Sequence, residues 1–464
     1  MTKMRTESDS MGEVKLPAEA LYGATTKRAI ENFKISGRPF PSLFIQMLGE
    51  LKRAAAIANK ALGLLDPKLA DAITKAAEKV ARGECQDHFP LDVFQTGSGT
   101  STNMNANEVI ANLANLSLGG TLGSKKPVHP NDHVNKGQSS NDVIPTVIHL
   151  AALQGIQKNL LPALKSLEKA LQKKAKAFDA IVKIGRTHLM DATPIRLGQE
   201  FSGFAHQITE SIERLARVLI PLSELAIGGT AVGTGINTHP EFSKKVCEVL
   251  SKRLGFTVRE ARNHFAAQAA KDACVEASGA LKATAVAFMK IADDIRWLGS
   301  GPRAGLAEII LPELQPGSSI MPGKTNPVIP EVVCQVAAQV IGNDAAITWG
   351  GGLAKFELNT MMPLIAVNLL DSIELMTNAA NVFTEKCIAG LQVNKKRCEE
   401  LVEQSLMLST PLAPHIGYDR AAKLAKKAAK SGKTIRQVAL EEKVMSPKDL
   451  DRVLNVRSMT EPQK

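Results

Sequence analysis

Four short polar stretches hold most of the side chains that could do chemistry. They are Thr96-Gly97-Ser98-Gly99-Thr100-Ser101-Thr102-Asn103, Gln138-Ser139-Ser140-Asn141-Asp142, Gly185-Arg186-Thr187-His188-Leu189-Met190-Asp191-Ala192-Thr193-Pro194 and Gly317-Ser318-Ser319-Ile320-Met321-Pro322-Gly323-Lys324-Thr325-Asn326. Their tools are hydroxyls, carboxamides, one imidazole (His188) and one ammonium (Lys324). None of the four holds a CxxC, HxxxH or clustered-carboxylate pattern that would offer a metal site, and their acidic residues are too few for a magnesium-dependent phosphate enzyme. This set suits acid–base chemistry beside a carboxylate. Removing a proton alpha to a carboxylate makes a dianionic aci-carboxylate, and that charge must be stabilised as it develops. An ammonium about 4 Å away, at an effective dielectric near 20, contributes about 4 kcal/mol. Realised only in the transition state, that is roughly three powers of ten in rate. Lys324 is the candidate for this role.

Each stretch also has a plainer reading. Ser98 and Thr100 stand where N-capping hydroxyls are common, although a helix starting there would aim its free N–H groups and positive end at the loop. His129-Pro130-Asn131-Asp132-His133 reads as a turn. Glu331 falls in a first helical turn, where the dipole favours a carboxylate. Gly323-Lys324-Thr325 ends like a phosphate loop, but five residues separate Gly317 from Gly323 and no strand precedes them, so that motif is rejected. Gly228–Gly235 lacks the spacing of a dinucleotide site and reads as a connector.

Taken together, the four stretches resemble, in order and spacing and over nearly the whole chain, those of the class II fumarases of the fumarase/aspartase superfamily. The resemblance implies metal-independent, reversible hydration of fumarate to L-malate through an aci-carboxylate, with no cofactor. It makes Ser318 the base for the malate C3 proton. His188, paired with Glu331, handles the proton of the added or departing water, and Lys324 is the charged partner. Ser98, Gly99, Thr100, Ser139, Ser140, Asn141, Thr187, Ser319 and Asn326 match substrate contacts. His129, Pro130, Asn131 and Asp132 match a secondary dicarboxylate site. The alternative is aspartate ammonia-lyase on the same fold. Ser98, Ser140 and His129 are fumarase-like, Val328–Val333 is closer to the aspartase version, and Thr325 replaces the Val common to both.

The elements that must position these stretches are long helices. Residues 1–45 read as irregular. Phe44–Ala81 reads as helical, with Leu48, Leu51, Ala55 and Ala58 on one face and Leu69, Ile73, Ala76 and Val80 on another. A helix over Met104–Leu118 follows. Leu150, Leu153, Ile156, Leu160, Leu164, Leu167 and Leu171 form one apolar stripe, and Phe201 to Leu219 forms a second. Further helices are expected over 266–298, 331–347 and 363–383. From about Asn394 the composition shifts, and Arg420–Arg436 holds seven basic residues and no acid, read as a solvated face on a small terminal domain. The family resemblance implies an all-α subunit with a long central helical bundle, in segments 1–138, 139–393 and 394–464. It further implies a homotetramer whose active sites each draw on three chains.

Composition agrees with a helical enzyme. Apolar residues make up 44% but aromatics only 4%, so the core is built from Ala, Leu, Val and Ile. The net charge of +11 suits small anionic substrates, and no basic-aromatic reader motif points to nucleic acid. No run is long enough to cross a bilayer. The start lacks an apolar signal region, and the six cysteines are scattered, as expected of a reducing, cytoplasmic location.

Overall fold

A computed structural model describes residues 3–462. The chain is mostly helical. Strands among the described residues form four two-stranded pairs. Packing divides the chain into two discontinuous units. The first runs up to Pro162 and includes Glu213–Ala285 and Ala338–Thr377; the second comprises Ala163–Ile212, Val286–Ala337 and the chain from Asn378 on.

In the first unit, the helices Ser42–Ala61 and Pro67–Ala81 pack against each other. The two faces read over Phe44–Ala81 belong to two helices because Asp66 caps the second, its carboxylate accepting from the Lys68 and Leu69 amides, with Pro67 in the first turn. Leu48, Leu51, Ala55, Ile73 and Ala76 are buried, each large side chain contributing roughly 1.5–3 kcal/mol. The segment expected to be irregular instead starts with a hairpin, Met4–Asp9 against Gly12–Pro17. Val14 and Leu16 point into the core and Lys15 between them points out, an alternation too short to stand out in the sequence. A helix, Ala24–Asn32, follows without a cap of its own. The buried Glu108 carboxylate serves instead, accepting from the amides of Gly23, Thr25 and Thr26.

The leucine stripe is core throughout: all seven of its residues are buried, along Ser140–Gln154, a π-turn at Gly155–Leu160 and Leu161–Ala177. Polar straps join three further long helices. Asp344 of Val328–Gly352 accepts from Ser278 and Lys282 of Asp272–Leu298 at 2.8 and 2.6 Å. Asn343 donates to Ser372 of Met362–Val382 at 3.1 Å.

In the second unit, Phe178, Phe201 and Phe204 meet edge-on at 5.4 Å spacings, with Lys290 over the Phe204 ring. The C-terminal helices Lys395–Gln404, Tyr418–Ser431, Ile435–Glu441 and Pro447–Val453 enclose a cluster of Val402, Leu408, Leu412, Leu424, Ile435, Val438, Leu450 and Leu454, joined by Ile184. Of the basic residues on this segment, Lys427, Lys433 and Arg436 pair with Glu442, Glu441 and Asp451. No helix among the described residues is long and apolar enough to cross a membrane.

Candidate active site

The first two polar stretches meet in the first unit. The helix carrying Ser98 and Thr100 starts at Thr100, four residues before the start read from the sequence. Gly99 is its N-cap, at φ +69°, and has no side chain with which to cap it. A glycine takes this left-handed conformation without penalty, and a Cβ here would press on the Ile144 side chain. Because the cap is backbone, the hydroxyls of Ser98 and Thr100 are not spent on it; they lie 2.7 Å apart and bond each other. Gln95 accepts from the Thr102 amide and hydroxyl, pinning the loop from behind.

The helix Ser140–Gln154 begins with a capping box between Ser139 and Asp142. Asp142 is buried, and its second oxygen accepts from the amides of Gly228 and Thr230, both at 2.9 Å. Burial pushes its carboxyl up to about 6, against the pull of these donors. Asn141 donates to the Ala231 carbonyl at 2.8 Å. The glycine-rich 228–235 connector is therefore built onto the start of this helix. Asn103 donates to Ser140 Oγ at 3.0 Å, tying the two stretches together.

The 129–132 segment is held by Asn115, which exchanges two hydrogen bonds with the Val128 backbone. His129 Nδ1 accepts from the Asn131 and Asp132 amides and so caps the turn Pro130–Val134. The turn runs directly into Asn135 and Gln138, which precede Ser139.

The other two stretches lie in the second unit. His188 sits at the tip of a hairpin, Val182–Thr187 against Met190–Arg196. His188 and Leu189 form its two-residue turn with φ of 59° each, the type I′ geometry that matches strand twist. His tolerates this region better than most residues, and each such residue stores about 1–3 kcal/mol of strain that its surroundings must hold. The hairpin base supplies the hold. Buried Glu308 forms a two-point ion pair with Arg186, at 2.8 and 3.1 Å, and lies 3.5 Å from the buried Lys183 ammonium. The imidazole and Thr187 are exposed at the tip.

The Gly317–Asn326 loop closes on itself. Gly317 N donates to the Lys324 carbonyl, and Asn326 Nδ2 donates to the Gly317 carbonyl, both at 2.7 Å. A Cβ at Gly317 would lie 2.8 Å from that carbonyl oxygen, so only glycine fits. Ser318 Oγ accepts from the amides of Ile320 and Met321 at 3.2 and 3.0 Å. Ser318, Lys324 and Thr325 line a hollow of about 480 Å³ with Glu313, Gln315 and Pro316. Lys324 and Ser319 are exposed, and Glu331 is half-buried in the first turn of Val328–Gly352. Among the described residues no hydrogen bond joins the His188 tip to this loop.

The sequence reading gives Asn103, Gln138 and Asp142 no role of their own within the polar stretches, takes Gly228–Gly235 only as a connector, and does not single out Asn135 or Glu308. Only Asp142 carried a local signal, three residues after Ser139. No group of three or more His, Cys, Asp or Glu among the described residues is placed to hold a metal.

By sequence the chain falls among the lyases. The sequence profile described as "Lyase" matches residues 12–342, and that of the "Fumarase C C-terminus" matches 408–461. A class II fumarate hydratase of Nitrosomonas europaea is 52% identical over 461 residues, covering 99% of this chain and 100% of its own. The mitochondrial fumarate hydratase of Saccharomyces cerevisiae is 54% identical over 452 residues, 97% of this chain and 92% of its own. The crystal structure of a class II fumarase from Schistosoma mansoni superposes with a TM-score of 0.96 at 39% identity, covering 100% of both chains. The chain belongs to the class II fumarase family of lyases.

Proposed function

We propose that this enzyme interconverts fumarate and L-malate without a metal, by the steps the site residues can perform. In the dehydration direction, the Ser318 alkoxide takes the C3 proton of malate and becomes a hydroxyl. The electron pair passes into the adjacent carboxylate, giving the aci-carboxylate dianion. The C2–O bond then breaks, and the hydroxyl leaves as water with a proton delivered by His188, which Glu331 orients. The Ser318 proton returns to solvent and the imidazole is reprotonated.

The observation that carries this reading is the environment of Ser318 Oγ. A serine is a poor base unless its alkoxide is stabilised, and here two backbone N–H groups already point at the oxygen in the loop that carries Lys324. The loop donors stabilise the alkoxide, and the Lys324 ammonium stabilises the dianion that follows. Ser98, Thr100, Ser139, Ser140 and Asn141, at two helix N-termini, supply donors for the substrate carboxylates, and Gly99, whose N–H is given to the Thr96 carbonyl, shapes the first of these termini. Thr187, Ser319 and Asn326 complete the set. The His129–Asp132 turn is the candidate for a second dicarboxylate position.

Assembly belongs to the proposal. Val328–Gly352 contains only Glu331 and Asp344 as charged residues in 25, yet Val332 and Trp349 are 43% and 74% exposed. A helix apolar on more than one face needs more than one apolar neighbour. Partner subunits of a homotetramer would cover it, with each site drawing on three chains, in a cytoplasmic enzyme organised as segments 1–138, 139–393 and 394–464.

The test is spectrophotometric. Protein without added metal receives L-malate, then L-aspartate, and fumarate is followed by absorbance. Release from malate is expected. Release from aspartate alone would reassign the enzyme to the ammonia-lyases, which the aspartase-like Val328–Val333 would then explain.

A further inference from the structure

Lys52, in the middle of Ser42–Ala61, is 0% exposed. Its ammonium donates to Asn135 Oδ1 and Gln138 Oε1, both at 2.9 Å. No carboxylate hydrogen-bonds it among the described residues; the charge that acts on it is that of buried Asp142. Burial pulls the ammonium down to about 7, and Asp142 opposes that pull. Holding a cation on neutral amides in the interior costs several kcal/mol, and a methionine would fill the same space.

An ammonium is a donor only, so the amides facing it must present oxygen. Asn135 Oδ1 is thereby fixed as an acceptor. Asn103 meets that oxygen with its Nδ2 at 3.2 Å, and the same Nδ2 donates to Ser140 Oγ at 3.0 Å. The Ser140 oxygen is then an acceptor within this chain of bonds, and its one hydroxyl hydrogen is left over. Asn103 is 1% exposed and its Oδ1 has no protein partner. Its amide is therefore not oriented by the needs of its own oxygen; the instruction comes from the far end.

We propose that Lys52 is a positioning residue that sets the direction of the Lys52–Asn135–Asn103–Ser140 chain, reserving the Ser140 hydroxyl hydrogen for a substrate carboxylate. This rests on the dicarboxylate reading of Ser140 given above. Without the ammonium, Asn135 Oδ1 is kept inward only by the bond its own Nδ2 donates to the Gln138 carbonyl at 3.1 Å, and a turn that gives up this one bond brings Nδ2 inward. Asn103 then presents Oδ1, Ser140 donates to it, and the substrate meets a lone pair where it needs a hydrogen. The packing is unchanged and the polarity is reversed.

The kinetics of Lys52→Met, Ser140→Ala and the double variant test this. Lys52→Met is expected to raise KM for malate and fumarate about tenfold with kcat within about threefold, the pattern of lost uniform binding. The double variant should show a KM no higher than Ser140→Ala alone, because the group being oriented is gone. Multiplying effects, or a lowered melting temperature with KM unchanged, would overturn the proposal. Should Lys52→Met fail to fold, Asn135 decides. Asn135→Ala, which leaves Lys52 its Gln138 partner, should raise KM about as much. Asn135→Asp, which can only accept, should keep KM near wild type; equal KM in the two Asn135 variants overturns the proposal. A wild-type enzyme inactive on both malate and fumarate would remove the functional reading and this proposal with it. An active wild type with indifferent variants removes this proposal alone.

Discussion

Ser318 and His149 show how differently single residues carry chemistry and stability. Ser318 is half-exposed on a loop, and the two bonds its Oγ accepts come from the amides of Ile320 and Met321, both themselves exposed in that loop. Ser318→Ala is therefore expected to lower kcat by at least about a thousandfold, the scale of losing the proton acceptor, with the melting temperature within a degree or two of wild type. Turnover near wild type would remove Ser318 from its role. His149 is the opposite case. It is buried, its Nδ1 is 2.9 Å from the Glu224 carbonyl, and burial, reinforced by the nearby Lys271 ammonium, pulls it down to about 4. Unfolded, it titrates near 6.5. Between those values the unfolded chain binds the extra proton, so stability falls as pH drops through the window, by up to about 3 kcal/mol for this one group. Asp142, raised to about 6 by burial, runs the other way: the folded chain binds its proton first, and acid relieves the cost. The check is therefore a difference measurement. Urea melts at pH 7 and pH 5 should show a steeper loss for wild type than for His149→Gln.

Among the elements, the hairpin at 182–196 owes its shape to its base. Glu308 is buried between Lys183 and Arg186, and truncating it strips Arg186 of its two-point partner and leaves the buried Lys183 ammonium with Glu200 alone. Glu308→Ala is expected to cost about 3–5 kcal/mol, read by chemical denaturation, and to lower kcat because His188 loses its support. Loss of stability without loss of kcat in the folded fraction would separate the hairpin from the chemistry. These cases also explain what the sequence could and could not reveal. Helices announced themselves wherever one face stayed apolar over many turns, as from Leu150 to Leu171. The chemical side chains were visible because hydroxyls, amides and glycines clustered. The hairpin was not visible, since its turn residues are His and Leu rather than the Asn-Gly pair that favours type I′. Glu308 and Lys52 were hidden for a different reason. Their partners are distant along the chain, and nothing local marks a charge as buried.

For the molecule as a whole, the proposed sharing of sites has a direct test. Ser318→Ala and Asn141→Ala enzymes, each inactive, would be unfolded together and reassembled. If a site takes these residues from different chains, random assembly restores about a quarter of the wild-type activity, since each position is intact half the time. Activity that stays at zero would place both residues of a site on one chain. The Val328–Gly352 helix carries a further consequence. A monomer with that surface uncovered is prone to collapse onto other copies in the wrong register. Recovery from denaturant should then pass through an optimum: too dilute and encounters limit the yield, too concentrated and precipitation does. The speed of regain should climb with protein concentration, because the last step is an encounter between molecules rather than a rearrangement within one.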